Sequence, residues 1–328
     1  MQILMTKASH ERVRSQLAAI APNADIVTHS PAGELEHNGR AVTLAEIGPQ
    51  IAWIGVDAAY DGSMVAFGQL IADASAIAWV QSASAGLDRP EFRTMMSKGA
   101  RITKGNAQAV PIAEYVVGQA ISLILPIDKQ VALQRDHVWS RTPYQEIGNT
   151  RWVMVGYGNI GQEIAKRIKP FGADLTVVRR APTGDDLVDR VITLAELPAA
   201  LPDADVVVLA CALNDETRNL ADSAFFQVLK PGAILINIGR GGLLDEDALR
   251  EGLDRNQPGR AVLDVVAVEP LPTESWIWDH PQVRLSAHTS PMGDGNIARA
   301  DAFFLTNLKR FLSGEALLNE ADKSEVGL

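Results

Sequence analysis

Short, nearly unbroken apolar runs alternate along the chain with stretches whose apolar residues recur every three or four positions. Runs of the first kind predict strands at residues 2–5, 26–28, 51–55 and 77–81, with a shorter one near 100–103. A second series is predicted at 152–155, 175–178, 206–210, 233–237, 261–264 and 283–286. The run DVVVLA has no polar alternation, as expected of a strand in a parallel sheet whose two faces are both covered by helices. Strand alternating with helix over the whole length predicts α/β architecture with parallel sheets. Between the two series, PIAEYVVGQAISLILPIDKQVALQRD keeps helical spacing. Pro111 suits a first turn, and Pro126 should kink or divide the helix. A last helix is predicted over 295–312, and the polar tail ADKSEVGL should fray.

Composition narrows the class. A chain of 328 residues exceeds one ordinary core and suggests two domains, or one inserted into another. Thirty basic residues against 40 acidic give a formal charge of −10. That argues against a nucleic-acid or anionic-membrane partner and leaves room for a local basic pocket. Cys211 is the single cysteine, which excludes an intrachain disulfide and fits a reducing compartment. MQILMTKAS lacks a basic region followed by a sustained apolar stretch, and no apolar run approaches the roughly 20 residues of a membrane span. A soluble, cytoplasmic protein is expected.

Candidate chemistry begins at VMVGYGNIGQEIAKRIKPFGADLTVVRR. Gly156, Gly158 and Gly161 form G-x-G-x-x-G directly after a predicted strand and at the start of a predicted helix. In that setting the glycines allow a tight turn, close approach of a pyrophosphate and close helix–strand packing, which predicts a dinucleotide site. The N–H groups and positive dipole end of the helix would face the phosphates. An NAD site carries an acidic residue about 20 positions on, for the ribose 2′-hydroxyl. Here Arg179 stands 18 residues beyond Gly161, followed by Arg180. A carboxylate repels a 2′-phosphate and a guanidinium pairs with it, so NADP is favoured, with NAD as the alternative. A solvated basic pair at a strand end is the competing reading.

Three later segments, ILINIGRGGLLDEDAL, AVLDVVAVEPLP and VRLSAHTSPMGDG, end predicted strands with polar residues, where open α/β sheets place ligands. Reduction of a 2-keto acid needs a cation for the carboxylate and carbonyl and a proton donor effective near neutral pH. Arg240 can supply the charge and His288 the proton, with Glu269 to orient the histidine and favour its protonated form. Singly, each also reads as an ordinary loop or strand-end residue.

At these residues the chain resembles the D-isomer-specific 2-hydroxyacid dehydrogenase family, in particular its glyoxylate/hydroxypyruvate reductase and phosphoglycerate dehydrogenase-like members. The matching stretches are VGYGNIGQEIAKRIKPFGA, CALNDETRNLAD, LKPGAILINIGRGGLLDEDAL, AVLDVVAVEPLP and LSAHTS, with WVQSASAGLD and VPIAEYV nearer the N-terminus. The resemblance implies two doubly wound parallel-sheet domains with the active site in the cleft between them. A Rossmann cofactor domain at 109–292 would be inserted into a flavodoxin-like substrate domain made of 1–108 and 293–328. It implies an oxidoreductase that moves a hydride between NAD(P)H and a small 2-keto or 2-hydroxy acid. The long apolar helix over 111–136 and its aromatic extension through Trp139 and Tyr144 predict a homodimer. Arg240 would bind substrate, His288 would exchange the proton and Glu269 would pair with His288. The cofactor would meet the glycine loop with Asn159 and Ile160, then Cys211, Leu213, Thr217, Ile238, Gly239 and Asp264. Amides of Ala85, Gly86 and Leu87 would meet the substrate carboxylate. Trp139 either reaches the partner subunit's site or is a plain dimer-contact or core aromatic.

Some positions depart from the family pattern. Arg179 replaces the usual acidic residue. GNTRWVMVG stands where G-K-T-h-G-I-h-G (h, apolar) is commoner, which gives Trp152 an unusual place, read as packing. Thr289, Ser290 and Pro291 follow the histidine in place of I-A-G or T-A. Glu269 argues against formate dehydrogenase chemistry, where the histidine pairs with glutamine. A dinucleotide-binding regulator on the same scaffold remains the alternative reading.

Overall fold

The computed structural model describes residues 1–75, 77–179 and 187–328. The chain divides into two compact units, Met1–Gln108 with Asp294–Leu328, and Ala109–Gly293.

In the first unit seven strands form one sheet: β1 (Gln2–Thr6), β2 (Asp25–His29), β3 (Leu35–His37), β4 (Arg40–Val42), β5 (Ile51–Ile54), β6 (Trp79–Ser82) and β7 (Arg101–Thr103). Their order is β4-β3-β2-β1-β5-β6-β7. The five strands β2-β1-β5-β6-β7 are parallel and keep the flavodoxin-like order 2-1-3-4-5. Successive side chains leave opposite faces, so both faces need a helical cover. Ile3, Met5, Trp53 and Trp79 pack on Phe304 and Leu308 of the helix Asn296–Ser313. Leu4, Ala52, Ile54 and Val80 pack on Phe67, Ile71, Phe92 and Met95.

One edge of this otherwise parallel sheet is antiparallel. β3 and β4 form an antiparallel hairpin that adds to β2. Neither three-residue strand offers an apolar run. Its turn was nevertheless written in the sequence: Asn38 and Gly39 take φ of 50° and 77°, the positive values a two-residue hairpin turn requires.

The second unit carries β8 (Arg151–Val155), β9 (Asp174–Val178), β10 (Arg190–Ile192), β11 (Val206–Leu209), β12 (Ile234–Asn237), β13 (Arg260–Leu263) and β14 (Val283–Leu285). The order β10-β9-β8-β11-β12-β13-β14 is the Rossmann order with one strand appended, and every pairing is parallel. Trp152, Met154, Val206 and Val208 pack on Ile112, Val116 and Ala120 of the helix Ala109–Ile124. Trp152 is fully buried, and its indole N–H donates to Thr150 Oγ1 at 2.8 Å, so it is a packing residue. Val155, Val207, Leu235 and Leu263 pack on Phe226 and Leu249 from the other side.

The helix expected across Pro126 is two helices, Ala109–Ile124 and Ile127–Arg135, bent by 56°. Among the described residues no single helix is long and apolar enough to cross a membrane, and only this bent pair would be if counted together. Arg284 on β14 ties both halves to the sheet. Its guanidinium donates to Gln119 Oε1 at 3.1 Å, Ser122 Oγ at 2.5 Å and Asp128 Oδ2 at 2.5 Å.

Candidate active site

An all-parallel sheet brings the loops after β8, β11, β12, β13 and β14 to one edge. Strand order reverses between β8 and β11, which opens a crevice at that edge.

The loop after β8 is shaped by its glycines. Gly156 has φ 102°, and a Cβ there would lie 2.7 Å from Ala210 O. A Cβ on Gly161 would lie 2.8 Å from Gly156 O, so the helix Asn159–Ile168 can approach only without a side chain there. Gly158, the N-cap of that helix, faces open space, with nothing within 4 Å of a Cβ. Asn159 and Ile160 open the first turn. This cradle fits a dinucleotide pyrophosphate: close-packed glycines on two sides and unobstructed backbone on the third.

Gly156 N donates to Val178 O at 3.0 Å, which sets Arg179 beside the loop at the end of β9. Arg179 is half-buried, and no carboxylate among the described residues pairs with it. Arg180 lies outside the described residues.

The loop after β11 turns on its own polar groups. Thr217 Oγ1 donates to Ala212 O at 2.7 Å, and Thr217 N donates to Asn214 Oδ1 at 3.0 Å. Thr217 is buried, and its hydroxyl is spent inside the loop. Leu213 packs against the core and against Gly242. Burial pushes the Cys211 thiol up to about 11, so it stays protonated near neutral pH and acts as a small packing residue.

After β12, Asn237 folds its own loop. Its amide donates to Arg240 O at 3.0 Å, and its carbonyl accepts from Gly239 N at 3.1 Å. Ile238 is buried in the core. Arg240 Nη1 donates to Gly239 O at 2.9 Å. A Cβ on Gly239 would lie 3.0 Å from Cys211 O, and one on Gly241 would lie 2.0 Å from Val266 O. Arg240 is therefore held in a segment threaded between the β11 loop and the β13 loop.

Glu269, in the β13 loop, accepts from Val266 N at 3.2 Å through Oε1. Its Oε2 lies 2.8 Å from His288 Nδ1. The side chains of His288 and Glu269 are 45% and 39% exposed, so solvent weakens the pair's electrostatic coupling. Nδ1 faces the carboxylate, which leaves Nε2 as the ring nitrogen for a reactant.

The backbone under His288 is strained: Ala287 and His288 take φ of 43° and 55°. Such conformations cost about 1–3 kcal/mol each and persist where the surroundings over-determine them. Asp264 does so here. It is 2% exposed. Its Oδ1 accepts from Ser286 Oγ (2.7 Å), Thr289 N (2.8 Å) and Ser290 N (3.0 Å), and its Oδ2 from Ser290 Oγ. Asp264 O accepts from His288 N at 2.6 Å. Sequence reading placed Asp264 among the cofactor contacts; in the structure its carboxylate carries the 286–290 turn. The apolar strand ending in aspartate marked the position, but the long-range bonds were not visible in it.

In the other unit, Ala85, Gly86 and Leu87 form the loop after β6. Ala85 is exposed, Gly86 half-buried and Leu87 buried. Ser84 O accepts from Gly105 N at 2.9 Å and Ser84 N donates to Ser82 Oγ at 3.0 Å, which fixes the base of that loop. Trp139 is fully exposed and lines, with Leu133, His137 and Val138, a hollow of about 560 Å³ beyond the helix Ile127–Arg135.

A Rossmann sheet with a pyrophosphate cradle and an acid–histidine pair at the same edge defines a nicotinamide-nucleotide-linked dehydrogenase. The family model described as D-isomer specific 2-hydroxyacid dehydrogenase, NAD binding domain, matches residues 117–290. Glyoxylate/hydroxypyruvate reductase HPR3 of Arabidopsis thaliana is 31% identical over 72% of this chain and 73% of its own length. The crystal structure of a D-isomer specific 2-hydroxyacid dehydrogenase family protein from Aeromonas salmonicida superposes with a TM-score of 0.73 at 28% identity, covering 98% of this chain and 99% of that one. That of an NADPH-dependent glyoxylate/hydroxypyruvate reductase from Sinorhizobium meliloti, in complex with NADP and sulfate, has a TM-score of 0.78 at 24% identity over 99% of both chains. The chain belongs to the D-isomer-specific 2-hydroxyacid dehydrogenase family and is an NAD(P)-dependent oxidoreductase.

Proposed function

We propose that the protein reduces a small 2-keto acid of the glyoxylate or hydroxypyruvate kind to the D-2-hydroxy acid, with NADPH preferred over NADH. The observation that carries this reading is the 2.8 Å contact of His288 Nδ1 with Glu269 at the sheet edge that also bears the glycine cradle. A nicotinamide dinucleotide held at Gly156, Gly158 and Gly161 would supply the hydride. His288 donates the proton to the carbonyl oxygen from Nε2. Glu269, anchored by Val266 N, orients the ring and balances its positive charge. Arg240 polarises the carbonyl and holds the carboxylate, a task suited to a guanidinium with a fixed charge.

The preference for NADPH rests on Arg179, placed beside the cradle with no carboxylate partner among the described residues. The relatives' names support the substrate class. The proposal includes a cytoplasmic homodimer. The exposed Trp139, Val138 and Tyr144 beyond the bent helix pair support dimerisation, because such apolar surface seldom stays uncovered. A panel of 2-keto acids assayed with NADPH and NADH tests the reading. Turnover of glyoxylate or hydroxypyruvate, faster with NADPH, is expected. Cofactor binding without turnover of any 2-keto acid would favour a regulatory role on the same scaffold.

A further inference from the structure

Tyr115 lies on the helix Ala109–Ile124, within a face that reads as core, yet its hydroxyl is 2.6 Å from Ser286 Oγ. Ser286 has one hydroxyl proton, and Asp264 Oδ1 accepts it at 2.7 Å. Tyr115 must therefore be the donor to Ser286. Burial pushes the Tyr115 hydroxyl above the ordinary phenol range, which keeps that proton in place. The chain of bonds runs from the helix through Ser286 to the carboxylate that also holds Thr289 N and Ser290 N. His288 lies inside this bracket, in a left-handed conformation that no glycine relieves.

We propose that Tyr115 is a positioning residue for His288, acting through Ser286 and Asp264 to hold the histidine turn against Glu269. The proposal rests on the reading of His288 as the proton donor. Tyr115 touches neither partner of the acid–histidine pair. Its helix is packed on the sheet by Ile112, Val116 and Ala120, and is tied to β14 a second time through Arg284. The helix thus fixes Ser286 from outside the turn, while Asp264 fixes it from within. Without the tyrosine hydroxyl, the Ser286 side chain is held by Asp264 alone, while its backbone stays on β13 through the bond from Ser286 N to Leu263 O at 3.1 Å. The turn then samples arrangements in which His288 is out of line with Glu269.

The test uses the full chain, NADPH and glyoxylate. Tyr115→Phe keeps the ring and removes the bond. It should lower kcat about five- to tenfold, leave NADPH affinity by fluorescence titration within about twofold, and move the alkaline limb of the reductive pH profile to lower pH. Ser286→Ala breaks the same link from the other end and should give the same loss. The double variant should lose no more than the worse single variant, because both substitutions remove one path. A role confined to packing would lower the melting temperature and leave the pH limb where it was. Wild-type kcat and pH limb in Tyr115→Phe, or in Ser286→Ala if the first variant does not fold, would overturn the positioning role. Additive losses in the double variant would overturn it too. His288→Ala measured alongside separates the two levels. If it is inactive and Tyr115→Phe is unchanged, only the positioning role falls. If it turns over normally, the reading beneath falls as well.

Discussion

Replacing Glu269 with glutamine removes one charge from the acid–histidine pair and little volume. The magnitude follows from the geometry. His288 Nδ1 and Glu269 Oε2 are 2.8 Å apart, which puts the charge centres of imidazolium and carboxylate about 4 Å apart. At that separation the attraction is about 1 kcal/mol in water and about 4 kcal/mol at the dielectric typical of a protein surface. Both side chains are more than a third exposed, so the lower end applies, about 1 kcal/mol. Reduction needs the protonated ring, so losing that attraction should lower reductive kcat/KM near neutral pH about fivefold. Oxidation of the 2-hydroxy acid needs the neutral ring, so it should be spared. The reductive loss should shrink on acidification. Steady-state rates in both directions across the pH range measure this. A Glu269→Gln profile that overlays the wild-type profile in both directions would refute the coupling of carboxylate and histidine.

Arg179→Asp should lower kcat/KM with NADPH about tenfold to a hundredfold and spare NADH, the loss of charge-assisted bonds to a 2′-phosphate; parallel kinetics with both cofactors check it. Arg240→Ala should lose turnover by about a hundredfold or more while NADPH affinity by fluorescence titration stays near wild type, and a collapse of cofactor affinity with normal substrate kinetics would contradict its role. Light scattering at micromolar concentration should give the mass of two chains, and a monomer would show that the apolar surface around Trp139 is covered in some other way.

What the sequence shows and what it hides divide along range. Strands such as Val206–Leu209 are buried on both faces and announce themselves as unbroken apolar runs. β3, β4 and β10 are three-residue strands at or next to a sheet edge, held by backbone pairing and by turn chemistry, so hydrophobic pattern alone does not find them. Pro126 was legible as a break, since its ring cannot sit in a helix interior. Its result, a second helix pinned by Arg284 to β14, depends on a side chain more than 150 residues away. The same limit governs the site. Glycine spacing and strand-end polar residues point to one edge of the sheet. They do not say that the Thr217 hydroxyl and the Asp264 carboxylate are consumed by their own surroundings, or that Tyr115 reaches the histidine turn.

The central claim is that His288 supplies the proton in hydride transfer to a 2-keto acid. A single-turnover experiment tests it most directly: His288→Ala is loaded with NADPH, mixed with saturating glyoxylate, and NADPH absorbance is followed beside the wild-type protein across the pH range. The account predicts that the variant binds NADPH with wild-type affinity and oxidises it at least a thousandfold more slowly, on the order of the upper range for general acid catalysis, with no alkaline limb left in the profile. NADPH oxidation at the wild-type rate, with the alkaline limb intact, would contradict it.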